Sequence, residues 1–334
     1  MSLSIIIVNY KTPGLIIDCL SGVMAHTEGI QFDVTVVDND SGDDTEKRLS
    51  ENFPSARFIQ MGYNSGFARA NNEGIRQSKG DAVLLLNSDT VITDNAIGNC
   101  YNRFITSDYI ACGIQLLNTD GSPQISGSFF MKGGVNCLLP LPYLGRFLKF
   151  LADGLKVKKP NVPEAMGTIE VEWINGAYLM VKRDAIDVAG LMDEDFFLYA
   201  EESEWCSRLG KNSKLCIYGD QHIVHLEGST ANAAFDSGGK GYFNIYDKKG
   251  LQIMVSNFLR IRKQFGIGWF LFNLFFYCCT IPIFGIGLLF AKLIYQNRSR
   301  YSFSQWKGFT KNVFSVLRLT PKIWSNKAYF YKLL

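Results

Sequence analysis

The start of the chain alternates short apolar runs with stretches that have helical spacing. Mainly apolar runs at 5–8, 34–37 and 82–86 are each followed by a polar residue. The segments around 15–25 and 68–77 have the spacing of helices. Such alternation with short links is typical of βαβ units around a mostly parallel sheet. No GxGxxG motif follows the first run, which argues against a dinucleotide-binding dehydrogenase.

The run at 82–86 is followed by Asn87, Ser88 and Asp89. A strand that is apolar on both faces suits a sheet covered by helices on both sides. In open α/β sheets ligands bind just beyond the carboxyl ends of the strands, so we expect Asp89 at the lip of a crevice, where it can hold a metal or a phosphate-bearing ligand. The alternative is ordinary turn chemistry, in which these residues end the strand and cap the next helix.

Charge divides the chain into an acidic and a basic part. Residues 251–334 contain 12 of the 34 Lys and Arg residues and no Asp or Glu, whereas residues 1–250 carry 22 basic and 31 acidic side chains. The eight cysteines form no CxxC pair, which favours reduced thiols in a protein that faces the cytosol. No signal peptide is evident. We therefore expect any catalytic site to face the cytoplasm.

Four acidic or metal-competent sites fall at predicted strand ends or helix starts. They are Asp38, Asp89, the pair Glu201 and Glu202, and His225. A carboxylate and an imidazole are suitable ligands for Mn²⁺ or Mg²⁺ bridging a diphosphate, so Asp89 and His225 are predicted to bind such a cation. Each residue alone also has a structural explanation, as a turn residue, a surface histidine or part of a solvated helix face.

Successive sequence blocks resemble family 2 glycosyltransferases with the GT-A fold, especially the bacterial rhamnosyltransferase-like branch. The blocks occur in order over most of 3–230 and read SIIIVNYK, VVDNDSGDDT, NSGFARANNEGI, LLLNSDT, WINGAYLMVKRDA and GLMDEDFFLYAEESEWCSRL, followed by HLEGS. The resemblance implies an α/β catalytic domain of the GT-A type over 1–240. Residues 241–334 would form a basic, apolar C-terminal helical region that associates with the membrane.

The resemblance also implies a donor site. Its predicted residues are Val8, Asn9, Asp38, Asn64, Gly66, Arg69, Asn72, Asn87 and Ser88. Asp38 would contact the base or ribose, Gly66 would allow close backbone approach, and Arg69 would pair with phosphate. Asp89 matches the last acid of a DXD-type motif and would bind the cation. Because Asn87 replaces the first acid of that motif, His225 gains importance as a second ligand.

For catalysis, the resemblance places the general base at Glu202, with Glu201 beside it. Members of the family usually have Glu-Asp at this point, so the base here has the longer side chain. Direct displacement by the acceptor would invert the anomeric configuration. Trp173, Asn175 and Gly176 fall in the block that approaches the donor sugar and acceptor, although ordinary core packing is an alternative for Trp173.

The C-terminal region has a long apolar run. Residues 264–291 are 28 residues without a charge, and as a helix they would measure about 42 Å, enough to cross a hydrocarbon core of about 30 Å. Nine basic residues follow the run, which argues against a single span below a cytoplasmic body. Pro282 offers a break, so we expect a re-entrant or in-plane hairpin followed by an interfacial helix on anionic lipid. The alternative is a buried helix of a soluble domain.

The predicted function is that of a metal-dependent, inverting glycosyltransferase at the cytoplasmic face of the membrane. It would move a sugar, with rhamnose favoured, from a dTDP- or UDP-linked donor to a glycan or lipid-linked acceptor in surface polysaccharide synthesis, without binding nucleic acid. One alternative is a sugar nucleotidyltransferase, although VNYKTPG matches its Gly-rich signature poorly. Another is an inactive, membrane-anchored nucleotide-sugar binding protein, which the single acid of the Asn87-Ser88-Asp89 motif would explain.

Overall fold

The computed structural model describes residues 1–157, 159–226, 235, 244–295 and 300–333. Contacts within the chain divide it into two compact units, the first comprising 1–129, 160–197 and 201–230, and the second comprising 130–159, 198–200 and 231–334. The domain boundary predicted at residue 240 falls outside the described residues. Residues 130–159 belong to the same unit as the C-terminal helices.

The strands are β1 (Ser2–Asn9), β2 (Gln31–Asp38), β3 (Arg57–Gln60), β4 (Ala82–Asn87), β5 (Thr90–Val91), β6 (Ala111–Leu117), β7 (Gly127–Ser128), β8 (Asn161–Val162), β9 (Thr168–Val171), β10 (Trp173–Ile174), β11 (Tyr178–Lys182) and β12 (Leu215–His225). The helices are α1 (Pro13–His26), α2 (Thr45–Asn52), α3 (Gly66–Gln77), α4 (Ala96–Ile105), α5 (Leu144–Gly154), α6 (Arg183–Ala189), α7 (Glu201–Leu209), α8 (Lys248–Phe265), α9 (Ile267–Tyr295) and α10 (Phe303–Ser325). Helices α5 and α8 to α10 belong to the second unit.

The first unit is built on a sheet with the strand order β3-β2-β1-β4-β11-β6-β12-β5, and β9 pairs with β12. Strands β1 to β4 are parallel to one another, as predicted, and β6 and β12 are also parallel. Strand β11 runs antiparallel to both β4 and β6. The side chains of β1 and β4 are almost all buried, which explains their apolar sequences.

One segment of the first unit differs from its prediction. The sequence VEWINGAYLMVKRDAI at 171–186 predicts one strand that leads into a helix, but these residues contain the end of β9, the strands β10 and β11, and the start of α6. A turn at Gly176 and Ala177 separates β10 from β11. Strand β10 consequently pairs with β7 in a small second sheet, while β11 enters the main sheet.

The second unit contains a 3-10 helix (Lys132–Leu138), α5 and the helices α8 to α10. The hairpin expected near Pro282 is wrong, because α9 is one continuous helix of 29 residues with Pro282 inside it. Trp306 of α10 donates its indole N–H to the carbonyl of Ile281 at 3.0 Å. A proline inside a helix removes one backbone donor, and packing of α10 against α9 at this point stabilises the helix across it.

Candidate active site

The first two strands end side by side in a polar pair. Asn9 and Asp38 are register partners, and Asn9 Nδ2 donates to Asp38 Oδ2 at 3.0 Å. Asp38 Oδ1 accepts from the Ser41 amide at 2.9 Å and from Gln60 Nε2 at 3.1 Å. The Asp38 carboxylate is therefore buried and fixed at the carboxyl ends of the strands. Its contact with a nucleotide remains a prediction.

A chain of polar side chains connects this pair to the Asn87-Ser88-Asp89 segment. Thr12 donates its hydroxyl to Asn9 Oδ1 at 2.8 Å, and the same hydroxyl lies 3.5 Å from Ser88 Oγ. Val8 is the register partner of Asn87 across β1 and β4. Sequence reasoning missed Thr12, which lies on the loop between β1 and α1, three residues beyond the end of the strand.

The two residues predicted to bind the cation lie together. Strand β12 pairs antiparallel with β5, so that His225 is opposite Thr90. His225 Nε2 lies 3.3 Å from Asp89 Oδ1 and 3.5 Å from Asn87 Nδ2. The side chains of His225 and Asp89 are 7% and 8% exposed. A carboxylate and an imidazole far apart in the sequence thus form a buried pair.

Gln124 orients the ring of His225. Its Nε2 donates to the His225 carbonyl and to Asn118 Oδ1, each at 2.8 Å, so its Oε1 is the acceptor 2.9 Å from His225 Nδ1. The Nδ1 atom is therefore a donor, and in the neutral ring Nε2 is the lone-pair nitrogen on the side of Asp89. Metal-bound imidazoles are held in this way by an acceptor behind the ring. Sequence reasoning missed Gln124, because it lies in the irregular segment between β6 and β7.

The chemistry of this donor set fits Mn²⁺ or Mg²⁺, for which carboxylate oxygen and imidazole nitrogen are suitable ligands. Cys19 lies nearby, with its Sγ 3.4 Å from Thr90 Oγ1, but burial raises the pKa of its thiol to about 12. The thiol is therefore protonated and a poor ligand. Among the described residues, no three or more His, Cys, Asp or Glu side chains are grouped so that they could hold a metal ion by themselves. Asp89 and His225 would hold the ion, with phosphate oxygens as further ligands.

The Asn64 to Gly66 turn is held by side-chain and backbone contacts. Asn64 Oδ1 lies 3.2 Å from both the Gly66 amide and Asn39 Nδ2. Gly66 has a φ of +77°, and a Cβ at this position would overlap the carbonyl oxygen of Phe197. The Phe67 amide donates to that oxygen at 2.8 Å. The close approach at Gly66 is thus to Phe197, and its approach to a diphosphate remains a prediction.

Two residues of α3 hold the segment 192–194. Asn72 Nδ2 donates to the Met192 carbonyl at 2.8 Å, and Asn72 Oδ1 accepts from the Met192 amide at 3.0 Å. Arg69 Nε donates to the Glu194 carbonyl at 3.0 Å. These hydrogen bonds give Asn72 and Arg69 a structural role. Their predicted part in enclosing the donor remains untested.

The predicted base lies beside the predicted acceptor residues. Glu201 and Glu202 are the first residues of α7 and are both buried. Trp173 Nε1 donates to Glu202 Oε1 at 3.2 Å, and a Cβ on Gly176 would lie 3.5 Å from Glu202 Cγ. Glu204, the third acid of this helix, is instead paired with Arg208 at 2.8 Å. Glu202 is thus the carboxylate that lies with Trp173 and Gly176.

The segment around Asn175 connects the two clusters. The Asn175 amide donates to the Ser126 carbonyl at 2.9 Å, and the Asn87 amide donates to the Ala177 carbonyl at 3.0 Å. Ser126 is two residues from Gln124, which holds His225. The end of β4 and residues 124–126 therefore contact both the Asp89–His225 pair and the segment that follows Trp173.

Comparison with solved structures defines the class of fold. The chain resembles a mannosyltransferase from Pyrobaculum calidifontis solved with GDP-Man and Mn²⁺, with a TM-score of 0.52 and 15% identity over 97% of this chain and 88% of that chain. This likeness shows the fold alone. The chain has a GT-A fold, as predicted.

The family follows from sequence comparison. Residues 4–167 match the family model for Glycosyl transferase family 2, so the chain carries a family 2 glycosyltransferase domain and the resemblance is confirmed. It is 30% identical over 215 residues to the low-salt glycan biosynthesis hexosyltransferase Agl10 of Haloferax volcanii, covering 62% of this chain and 61% of the relative. It is 28% identical over 202 residues to the N-acetylglucosaminyl-diphospho-decaprenol L-rhamnosyltransferase of Mycobacterium tuberculosis, covering 55% and 63%. The chain thus matches about three fifths of the length of these relatives.

Proposed function

We propose that this protein is a metal-dependent, inverting glycosyltransferase that uses a nucleotide-sugar donor and a lipid-linked glycan acceptor. The observation that carries the proposal is the buried pair of Asp89 and His225, 3.3 Å apart at the ends of neighbouring strands. Its ring orientation, set by Gln124, is the one that cation binding needs. The match to family 2 disfavours the nucleotidyltransferase alternative.

Different residues act on the leaving group and on the nucleophile. A cation held by Asp89 and His225 would stabilise the negative charge that develops on the leaving nucleoside diphosphate. Glu202 takes the proton of the acceptor hydroxyl as its oxygen bonds to the anomeric carbon and the bond to the diphosphate breaks. A positioned general base contributes about 10²- to 10⁴-fold. Attack opposite the leaving group inverts the configuration. Trp173 positions the carboxylate through its indole N–H.

The substrate class comes from the relatives. One relative is named for rhamnosyl transfer to a diphospho-decaprenol acceptor and the other for hexosyl transfer in glycan biosynthesis. We therefore assign a dTDP- or UDP-linked sugar as donor, with rhamnose favoured, and a lipid-linked acceptor in surface polysaccharide synthesis.

Membrane association at the cytoplasmic face is part of the proposal. Residues 267–293 reach a mean hydropathy of 2.1 over their most apolar 18 residues and are long and apolar enough to cross a bilayer, although a core helix of a soluble protein can pass the same test. Helix α10 exposes Lys307, Lys311, Phe314 and Arg318. A helix that mixes exposed basic and aromatic side chains suits the surface of an anionic membrane.

The test is binding of a nucleotide-sugar panel to detergent-purified protein, measured by thermal shift with Mn²⁺ or with a chelator. We expect one donor to stabilise the wild type only with metal, and Asp89→Ala to lose this effect. Asp187→Ala, at an exposed position of α6, is the matched control and should keep it. Glu202→Gln should bind the donor but not transfer the sugar.

Two outcomes would count against the proposal. If folded wild-type protein shows no metal-dependent shift with any donor of the panel, Asp89 is a turn residue and the cation site is wrong. If the donor binds but no acceptor is glycosylated by the wild type, the inactive binding protein becomes the better description.

A further inference from the structure

The second unit contains a basic cavity of about 280 Å³. It is lined by residues 139–141, by the first two turns of α5, by Tyr246, and by Arg300, Tyr301 and Gln305. Three cationic side chains, Arg146, Lys149 and Arg300, line it, and none of the described residues that line it is acidic. A cavity with this lining attracts an anion.

Aromatic packing holds the cavity in shape. The ring of Tyr301 packs edge to face on Tyr143 and Phe284, with centroid distances of 5.6 Å and 5.2 Å. Tyr143 lies directly before α5, and its ring lies over Gly287 of α9, where an added Cβ would be 2.5 Å from Tyr143 Cε2. Gly287 thus admits the ring that docks α5 on α9. Arg146 and Lys149 follow on the next two turns of α5.

Two carboxylates close in sequence to the described lining residues lie outside the cavity lining. Asp247 follows Tyr246, but it caps α8 by accepting from the Gly250 amide at 2.8 Å. Asp153 lies one turn beyond Lys149 on α5 and is absent from the lining. The chain from 251 to 334, which supplies Arg300, contains no acidic residue.

Exposed apolar side chains accompany the cations. On α5, Phe147 and Phe150 are 57% and 74% exposed, and on α9, Leu289 and Phe290 are 54% and 59% exposed. Surfaces of this kind are typical of contact with another molecule or a membrane. A phosphate group on a hydrocarbon chain matches both features, because its head needs cations and its tail needs an apolar surface.

We infer that the cavity binds the head of a lipid that carries a phosphomonoester or a diphosphate. Arginine forks match phosphate oxygens, and the two arginines Arg146 and Arg300 suit a head with about two negative charges better than a singly charged phosphodiester. The lipid-linked diphosphate acceptor of the proposed function belongs to this class, and that identification rests on the proposed function. Binding of the lipid itself does not depend on sugar transfer.

The experiment titrates detergent-purified protein with dihexanoyl phosphatidic acid and follows the thermal shift. Dihexanoyl phosphatidylcholine and inorganic phosphate are the comparison probes. We expect saturable stabilisation by phosphatidic acid only. The double variant Arg146→Gln with Arg300→Gln should weaken it at least about tenfold. The matched control is Lys311→Gln with Arg318→Gln, which removes the same charge from the exposed side of α10 and should have a much smaller effect.

A second variant tests the cavity without changing charge. Gly287→Leu should displace Tyr143 and abolish saturable phosphatidic acid binding, while circular dichroism and a cooperative melting transition show that the protein is folded. Equal losses in the two double variants would mean diffuse electrostatics and overturn the inference. Inorganic phosphate binding as tightly as phosphatidic acid would also overturn it, in favour of a free anion. Since no sugar donor is present, failure here is distinct from failure of the donor assay.

Discussion

Gln124 and His225 are joined by two hydrogen bonds, one to the ring and one to the backbone of the histidine. The ring bond measures 2.9 Å between Oε1 and Nδ1, and the backbone bond measures 2.8 Å between Nε2 and the carbonyl oxygen. One amide thus fixes both the place of His225 and the rotation of its ring.

We predict that Gln124→Ala weakens Mn²⁺ binding by about 10- to 100-fold, since removal of a residue that orients a ligand has an effect of this size. Isothermal titration with Mn²⁺ in the absence of donor measures it. Gln221→Ala is the control, because Gln221 lies on the same strand and its amide contacts Asp220. Unchanged Mn²⁺ affinity in Gln124→Ala would refute the orienting role.

Trp173→Phe should lower kcat by about tenfold or more without changing the KM for the donor, because it removes a hydrogen bond to the carboxylate of Glu202 but keeps an aromatic ring. Trp205→Phe provides the contrast. The indole of Trp205 donates to the Gly190 carbonyl at 2.8 Å inside the core, so its loss should reduce the melting temperature instead. An unaltered kcat in Trp173→Phe would exclude positioning of Glu202 by the indole.

Gly66→Ala and Gly62→Ala should differ in their cost to stability. Both glycines have positive φ values, +77° and +72°, but no atom lies within 4 Å of a Cβ at Gly62, whereas Phe197 blocks the one at Gly66. Denaturant unfolding should show a loss of about 1 to 2 kcal/mol for Gly62→Ala. The loss for Gly66→Ala should be clearly larger. Equal losses would mean that the contact with Phe197 adjusts easily.

Glu194 gives a pH-dependent prediction. Burial opposes its charge, but hydrogen bonds from Asn72 and Arg76 and the charges of Arg76 and Arg69 outweigh it and lower its pKa. A lowered folded-state pKa contributes stability above the pKa of the unfolded chain, and this is lost as pH falls through the folded-state value. Glu194→Gln should therefore be less stable than the wild type at neutral pH. The difference should shrink in acid, as unfolding across a pH series would show, and a constant difference would contradict this account.

The meeting of Asp89 and His225 could be predicted because Asp89 follows one apolar strand and His225 ends another, and such positions gather at the carboxyl edge of the sheet. Thr12 and Gln124 could not be predicted in this way, since a side chain on a loop has no periodic signal and its partner is fixed by tertiary structure alone. The break expected at Pro282 failed for a related reason. A proline lowers the local helical preference, but its effect depends on packing from Trp306, 24 residues further along the chain.

The resemblance of a motif to a family also did not reveal what each of its residues contacts. Asn72 and Gly66 were assigned to the donor from their place in the NSGFARANNEGI block, and their contacts in the structure are with Met192 and Phe197. A motif specifies where a residue lies in a fold, whereas its hydrogen bonds depend on segments that are distant in sequence.

The attachment of α3 to residues 192–197 limits how this enzyme can be recombined. Helix α3 holds that segment through Asn72 and Gly66 and also packs on α7, which carries Glu202. A chimera that receives residues 64–77 from a relative would keep a mismatched partner unless 192–197 came with them. These two stretches therefore form one exchangeable module, and we expect substitutions in α3 that displace residues 192–197 also to shift Glu202.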